Sequence, residues 1–174
     1  MMTVQASPNG LQPIAGRLTS MRGFTLLELM LVVTIAAILS GIGVPSFARF
    51  IAEQRTIAAA SDIQMALWRV RSEAIRLRAD IGLVPADPEA GWESGWVAVD
   101  PTTSGHELMR RGPLVGVTLA GGPSQILYRA SGRLRGTAMS GIEIASKTNS
   151  AVEKRCVHID LSGQPMMVKG GCSR

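Results

Sequence analysis

The chain has 174 residues and a formal charge of +5, room for one domain of ordinary size plus a membrane segment, which argues against two full domains. Arg17 and Arg22 precede Phe24 with no acid among them, so a chain starting at Phe24 carries +5 less two, or +3; so mild a basic excess is weak support for nucleic-acid binding. Hydrophobic residues make up 46%, unevenly spread, and outside the block at 24–44 the sequence reads as an ordinary soluble domain.

Residues 1–20, with Ser7, Pro8, Asn9, Gly10 and Pro13, show no persistent apolar period and read as a disordered leader on the cytoplasmic side. Met1 and Met21 both stand as candidate starts. The next stretch, FTLLELMLVVTIAAILSGIGV at 24–44, carries a single charge, and at about 1.5 Å rise per residue it matches a hydrocarbon core of roughly 30 Å. Arg17 and Arg22 before it keep the N-terminus cytoplasmic and send the rest across. A secretory signal peptide starts similarly, but its apolar run is shorter and its cleavage site follows that run. Glu28 also sits inside the apolar run, where an acid at a helix centre costs roughly 2.5 to 3.5 kcal/mol.

The hexapeptide GFTLLE at 23–28 resembles the class III signal of type IV pilins and type II secretion pseudopilins, and Pro45 falls where that family places a helix-kinking proline. The resemblance implies cleavage between Gly23 and Phe24 by a prepilin peptidase, N-methylation of Phe24, and an apolar helix left in place. It also implies an assembly role for Glu28. Cleavage frees an amine that Glu28 of a neighbouring subunit can pair with in an apolar filament core, offsetting the burial penalty. A plain single-pass anchor, with a glutamate tolerated near a helix start, is the competing reading.

After Pro45 the sequence is rich in Ala, Arg, Glu and Leu and free of Gly and Pro as far as Asp80, as a long helix demands. Pro45 removes a backbone donor, and Gly41 and Gly43 weaken the same turn, so a kink is expected there. Ala60, Ile63, Leu67, Val70, Ala74 and Leu77 form a stripe that should bury against a sheet. Arg69, Arg76, Asp62 and Glu73 fall off it, and Trp68 is placed at the core edge. RSEA at 71–74 resembles the helix motif of the GspH/FimT branch of pseudopilins and minor pilins.

Beyond Asp80, short apolar runs broken by Gly, Pro and Ser predict strands over 81–85, 95–99, 115–119, 125–130, 141–145, 155–160 and 165–168. WESGWVAVD at 92–100, ILYRASGRL at 126–134 and the closing CVHIDLSGQPMMVKGGC at 156–172 again resemble that branch. The implied fold is α+β, the type IV pilin fold, in which a long N-terminal helix packs against an antiparallel β-sheet head. Its parts are a cleaved leader (1–23), a transmembrane assembly segment (24–44), an amphipathic helix (45–80) and a periplasmic head (81–174).

Cys156 and Cys172 flank the closing hairpin, and an even cysteine count suits a disulfide in an exported head. A loop near 15 residues suggests about 3 kcal/mol of stabilisation. His106 and His158 lack the spacing of a catalytic triad, and no phosphate loop, metal-ligand set or cofactor motif is present. Arg129, Arg133, Arg135, Lys154, Arg155, Lys169 and Arg174 concentrate charge in the last third. Some FimT-like minor pilins bind DNA through a GRxR motif in the closing hairpin. Here that place reads Gly163, Gln164, Pro165, Met166, and the GRLR at 132–135 is an earlier turn. A solvated basic face is therefore the main reading, with nucleic-acid contact through Arg133, Arg135, Lys154, Arg155 and Lys169 as the lesser one.

The resemblance implies a structural protein without chemistry of its own: a FimT/FimU-like minor pilin that helps prime or cap a type IV pilus. A GspH-type minor pseudopilin of a type II secretion system is the alternative. Implied partners are other pilins or pseudopilins, the prepilin peptidase, an inner-membrane assembly platform and membrane lipid.

Overall fold

The computed structural model describes residues 23–101, 106–137 and 139–172; leader residues 1–22, Arg174 and the His106 side chain lie outside that description. A single helix, α1 (Leu26–Leu77), begins the described chain and continues across Pro45. Its start is set by Thr25, whose Oγ1 accepts a hydrogen bond from the Glu28 amide at 3.2 Å, satisfying one of the free donors of the first turn. Its end is a two-bond wrap in which the Arg78 amide donates to the Ile75 carbonyl and the Ala79 amide to the Ala74 carbonyl. That closure requires a left-handed residue, and here it is Arg78, at φ 53°, where glycine is usual.

The chain forms two compact units, Met1–Ser40 and Gly41–Arg174. In the second, eight strands follow the helix: β1 (Ile81–Asp87), β2 (Gly91–Asp100), β3 (His106–Arg111), β4 (Val117–Gly121), β5 (Ile126–Tyr128), β6 (Met139–Ser146), β7 (Arg155–Ile159) and β8 (Pro165–Lys169). They make two four-stranded sheets, in the orders β3-β2-β1-β5 and β4-β6-β7-β8, with every pairing antiparallel. The single sheet expected from sequence is thus two. The strand missed by sequence reasoning is β3, HELMRR. It is an edge strand whose charges protect the open side of its sheet, so no run of alternating apolar residues betrays it.

The helix stripe supplies the core. Ala60, Ile63, Leu67, Val70 and Ala74 are buried among Trp96, Ile81, Leu83, Ile126, Tyr128, Ile142, Ile144, Val157 and Ile159. Leu77, the last residue of the expected stripe, is 39% exposed, because the helix is already turning into its closing wrap. Trp68 is 41% exposed and carries the Arg71 guanidinium over its ring at 5.4 Å, so it lies on the surface and not at the core edge.

Arg71, the first residue of RSEA, also ties helix to sheets. Its Nε donates to the Gly132 carbonyl at 2.9 Å and its Nη2 to the Ser162 carbonyl at 3.3 Å. One side chain thereby fixes both the turn after β5 and the turn between β7 and β8. Gly163 is buried in that second turn at φ +82°, where a Cβ would run into the Gly132 carbonyl, so the two turns meet backbone to backbone. A disulfide joins Cys156 on β7 to Cys172 just past β8 and packs on Gly141 of β6.

Candidate functional site

The apolar start of the helix is the most unusual surface of the chain. From Phe24, 75% exposed, through Phe50 every residue with a described side chain is exposed. A continuous apolar face of this extent exceeds the few hundred Å² that soluble monomers leave uncovered, and marks a lipid or protein contact surface. The helix is long and apolar enough to cross a membrane. Two of its hydroxyl groups are satisfied from within: Thr34 Oγ1 donates to the Met30 carbonyl at 2.8 Å and Ser40 Oγ to the Ala36 carbonyl at 2.7 Å. Such back-bonding removes their demand for water. Glu28 differs. Its carboxylate is exposed in the first turn and has no hydrogen-bond or ion-pair partner among the described residues. Gly23, just before it, has open space around its Cα.

The basic residues singled out from sequence fall into two groups, Arg133 and Arg135 after β5 and Lys154, Arg155 and Lys169 at the open end of the β7–β8 hairpin. Arg135 is paired with Asp80 at 3.2 Å and Lys154 with Glu143 at 2.7 Å, so both charges are locally compensated. Arg133 is exposed on the turn that meets the tip of the β7–β8 hairpin. Lys169 is exposed at the far end of that hairpin, directly opposite Arg155, several strand residues and roughly 13 Å away at about 3.3 Å per residue. Arg155 itself is only 8% exposed. A β-strand alternates faces, and Arg155 shares the inward face with Val157 and Ile159, so little of it reaches solvent.

A cleft of about 330 Å³ between α1 and β3 is lined by Asp62, Met65, Arg69, Met109, Arg110 and Arg111, with Asp62 and Arg111 bridged at 2.8 Å across it. It is open and holds no nucleophile beside a base. Among the described residues no cluster of His, Cys, Asp or Glu could hold a metal ion. The carboxylates held below their ordinary range serve structure, Glu107 through its bond to Arg110 on β3. Lys154 chiefly, with the Cys172 amide, holds the Glu143 carboxyl below its ordinary range. The Ser162 hydroxyl and the Gln164 amide do the same for Asp160 in the hairpin turn. Desolvation pushes the Tyr128 phenol up, and its hydroxyl is enclosed without a partner.

Residues 59–163 match the family model described as Type II transport protein GspH. The chain belongs to the GspH family. Residues 18–44 match the prokaryotic N-terminal methylation motif, so this is a pilin-like protein whose apolar helix fits a membrane anchor. The type IV minor pilin FimU of Pseudomonas aeruginosa has the same fold, at TM-score 0.59 and 18% identity over 71% of this chain and 99% of that one. So does the minor pseudopilin EpsH of Vibrio cholerae, at TM-score 0.53 and 17% identity over 66% and 97% of the two chains. No curated protein matches the chain at a significant level. Sequence reasoning flagged RSEA in this GspH-family chain but not the clamp made by Arg71, since the two carbonyls it holds lie 61 and 91 residues away.

Proposed function

We propose that this GspH-family protein is a minor subunit of a type IV pilus, acting in the complex that primes or caps the filament. A prepilin peptidase would cleave between Gly23 and Phe24 and methylate Phe24. The inner membrane would hold the apolar helix, with Pro45 as a bend point, until the assembly platform extracts it, and the head would stand in the periplasm. The protein would have no enzymatic activity. The observation carrying this reading is the uncovered apolar helix with one unpaired carboxylate, Glu28, at its start. A methylated amine from an adjoining subunit supplies the missing partner, and a charge so placed costs several kcal/mol if left alone in an apolar core. The second reading, a minor pseudopilin of a type II secretion system, is favoured by the description of the matching family model.

Glu28→Leu tests the proposal. A merely anchored protein should tolerate it, since the span becomes more apolar. A filament subunit should be processed normally, as shown by immunoblot and an N-methylated Phe24 in mass spectra, yet fail to restore piliation. Complementing a pilus mutant and a secretion mutant side by side separates the two systems. Processed Glu28→Leu protein with full activity in both would defeat the reading.

A further inference from the structure

Among the described residues the Arg155 guanidinium has no counter-charge. Its side chain is more than nine-tenths buried, its Nε is enclosed with no hydrogen-bond partner, and among the described residues no carboxylate or carbonyl meets its amino groups. Arginine is always protonated, so a charge whose Nε is enclosed and whose amino groups alone can reach solvent stands without a counter-ion among the described residues. Its cross-strand neighbours deepen the problem. In register with it stand Ile144 on β6, which is fully buried, and Lys169 on β8. Residues directly opposite on antiparallel strands share a face, so Lys169 sets a second cation beside the first, an arrangement that is destabilising by itself. Lys169 has no partner among the described residues either.

We propose that Arg155 and Lys169 form a site for one carboxylate, an aspartate or glutamate side chain contributed by an adjoining filament subunit. The inference rests on the filament reading above. A single sheltered guanidinium beside one exposed ammonium fits the two oxygens of one carboxylate, through paired charge-assisted hydrogen bonds. A polyanion would need a row of exposed cations, and the nearby Lys154 is already bound to Glu143. Position supports the choice of a neighbouring subunit. Arg71 reaches the hairpin tip at Ser162 and Gln64 donates to the Pro165 carbonyl, so toward the helix N-terminus the hairpin runs to its open end, where Arg155 and Lys169 lie. From that end of the head α1 runs back to the exposed Phe50 and Phe47. A subunit packed along the helix there meets the two cations as well.

The test uses the full chain in detergent micelles, with inorganic phosphate as an oxyanion probe against chloride at matched ionic strength, and filament incorporation in cells. Phosphate should raise the unfolding temperature of the wild type and leave Arg155→Met unmoved. Arg155→Met should unfold no lower than wild type, because it removes an unpaired buried charge, yet incorporate at least ~30-fold less, as expected when one partner of a buried charge pair is lost. Lys169→Glu, a surface change with no folding risk, should fill the site from within, raise the unfolding temperature, abolish the phosphate response and block incorporation. Wild-type incorporation of both variants with no phosphate response would overturn the site. A shift given by duplex DNA but not by phosphate would overturn the carboxylate assignment. Normal incorporation of Glu28→Leu would undo the filament reading alone, since the phosphate response reads the site independently.

Discussion

Two backbone positions in the head illustrate how a single residue can oppose or require its setting. Arg78 closes the helix in the left-handed region at φ 53°, which costs a residue with a Cβ roughly 1–2 kcal/mol. Arg78→Gly should therefore stabilise the head by about 1 kcal/mol, read as a rise in denaturant midpoint at unchanged slope. Gly141 is the converse. At φ +52° a Cβ there would lie 2.5 Å from Cys172 Sγ and 2.6 Å from Cys156 Sγ, and neither sulfur can retreat while bonded to the other. Gly141→Ala should cost about 1–3 kcal/mol by overpacking, and less in a Cys156→Ser, Cys172→Ser background. An equal loss in both backgrounds would show that the disulfide is not what Gly141 accommodates.

At the scale of elements, α1 does two jobs divided along its length. As far as Phe50 every described side chain is exposed, while the second half delivers one stripe to the core. Leu67 and Leu77 lie on the same expected stripe, but only Leu67 is buried. Leu67→Ala should cost about 2–5 kcal/mol. Leu77→Ala should fall within about 0.5 kcal/mol of wild type, as for surface changes. Thermal unfolding of the two variants side by side checks the contrast, and equal losses would mean that the helix end is packed after all. Edge strand β3 makes the complementary point: HELMRR is held by pairing with β2, with Arg110 and Glu107 bound to each other on the surface.

For the whole molecule, two carboxylates with lowered values contribute to the loss of stability in acid. Glu143 on β6 binds Lys154 and the Cys172 amide, and Asp160 organises the β7–β8 turn. Both are depressed in the folded state from ordinary values of 4.5 and 3.8. Their contribution is fully present above those ordinary values and is lost as pH falls through the lower folded ones. Stability should thus decline below about pH 4, and Asp160→Asn, already without the charge, should decline less steeply. Denaturant midpoints across the acid range read this directly. Parallel pH curves for wild type and Asp160→Asn would remove Asp160 from the account.

The apolar run, its single glutamate, the GFTLLE signal and the period of the second half of the helix were legible in sequence, because each is a local pattern that chemistry imposes along a few turns. The strand positions largely followed, since short apolar runs between turn residues mark inward-facing backbone. Only the tertiary structure decided that the head has two sheets, that charged HELMRR is a strand, that Leu77 and Trp68 are exposed, and that Arg71 clamps two distant turns. It also set Arg155, buried, opposite Lys169. All of these depend on which residues far apart in the chain come to share a face, and pairing register and packing fix that, not the local run of side chains.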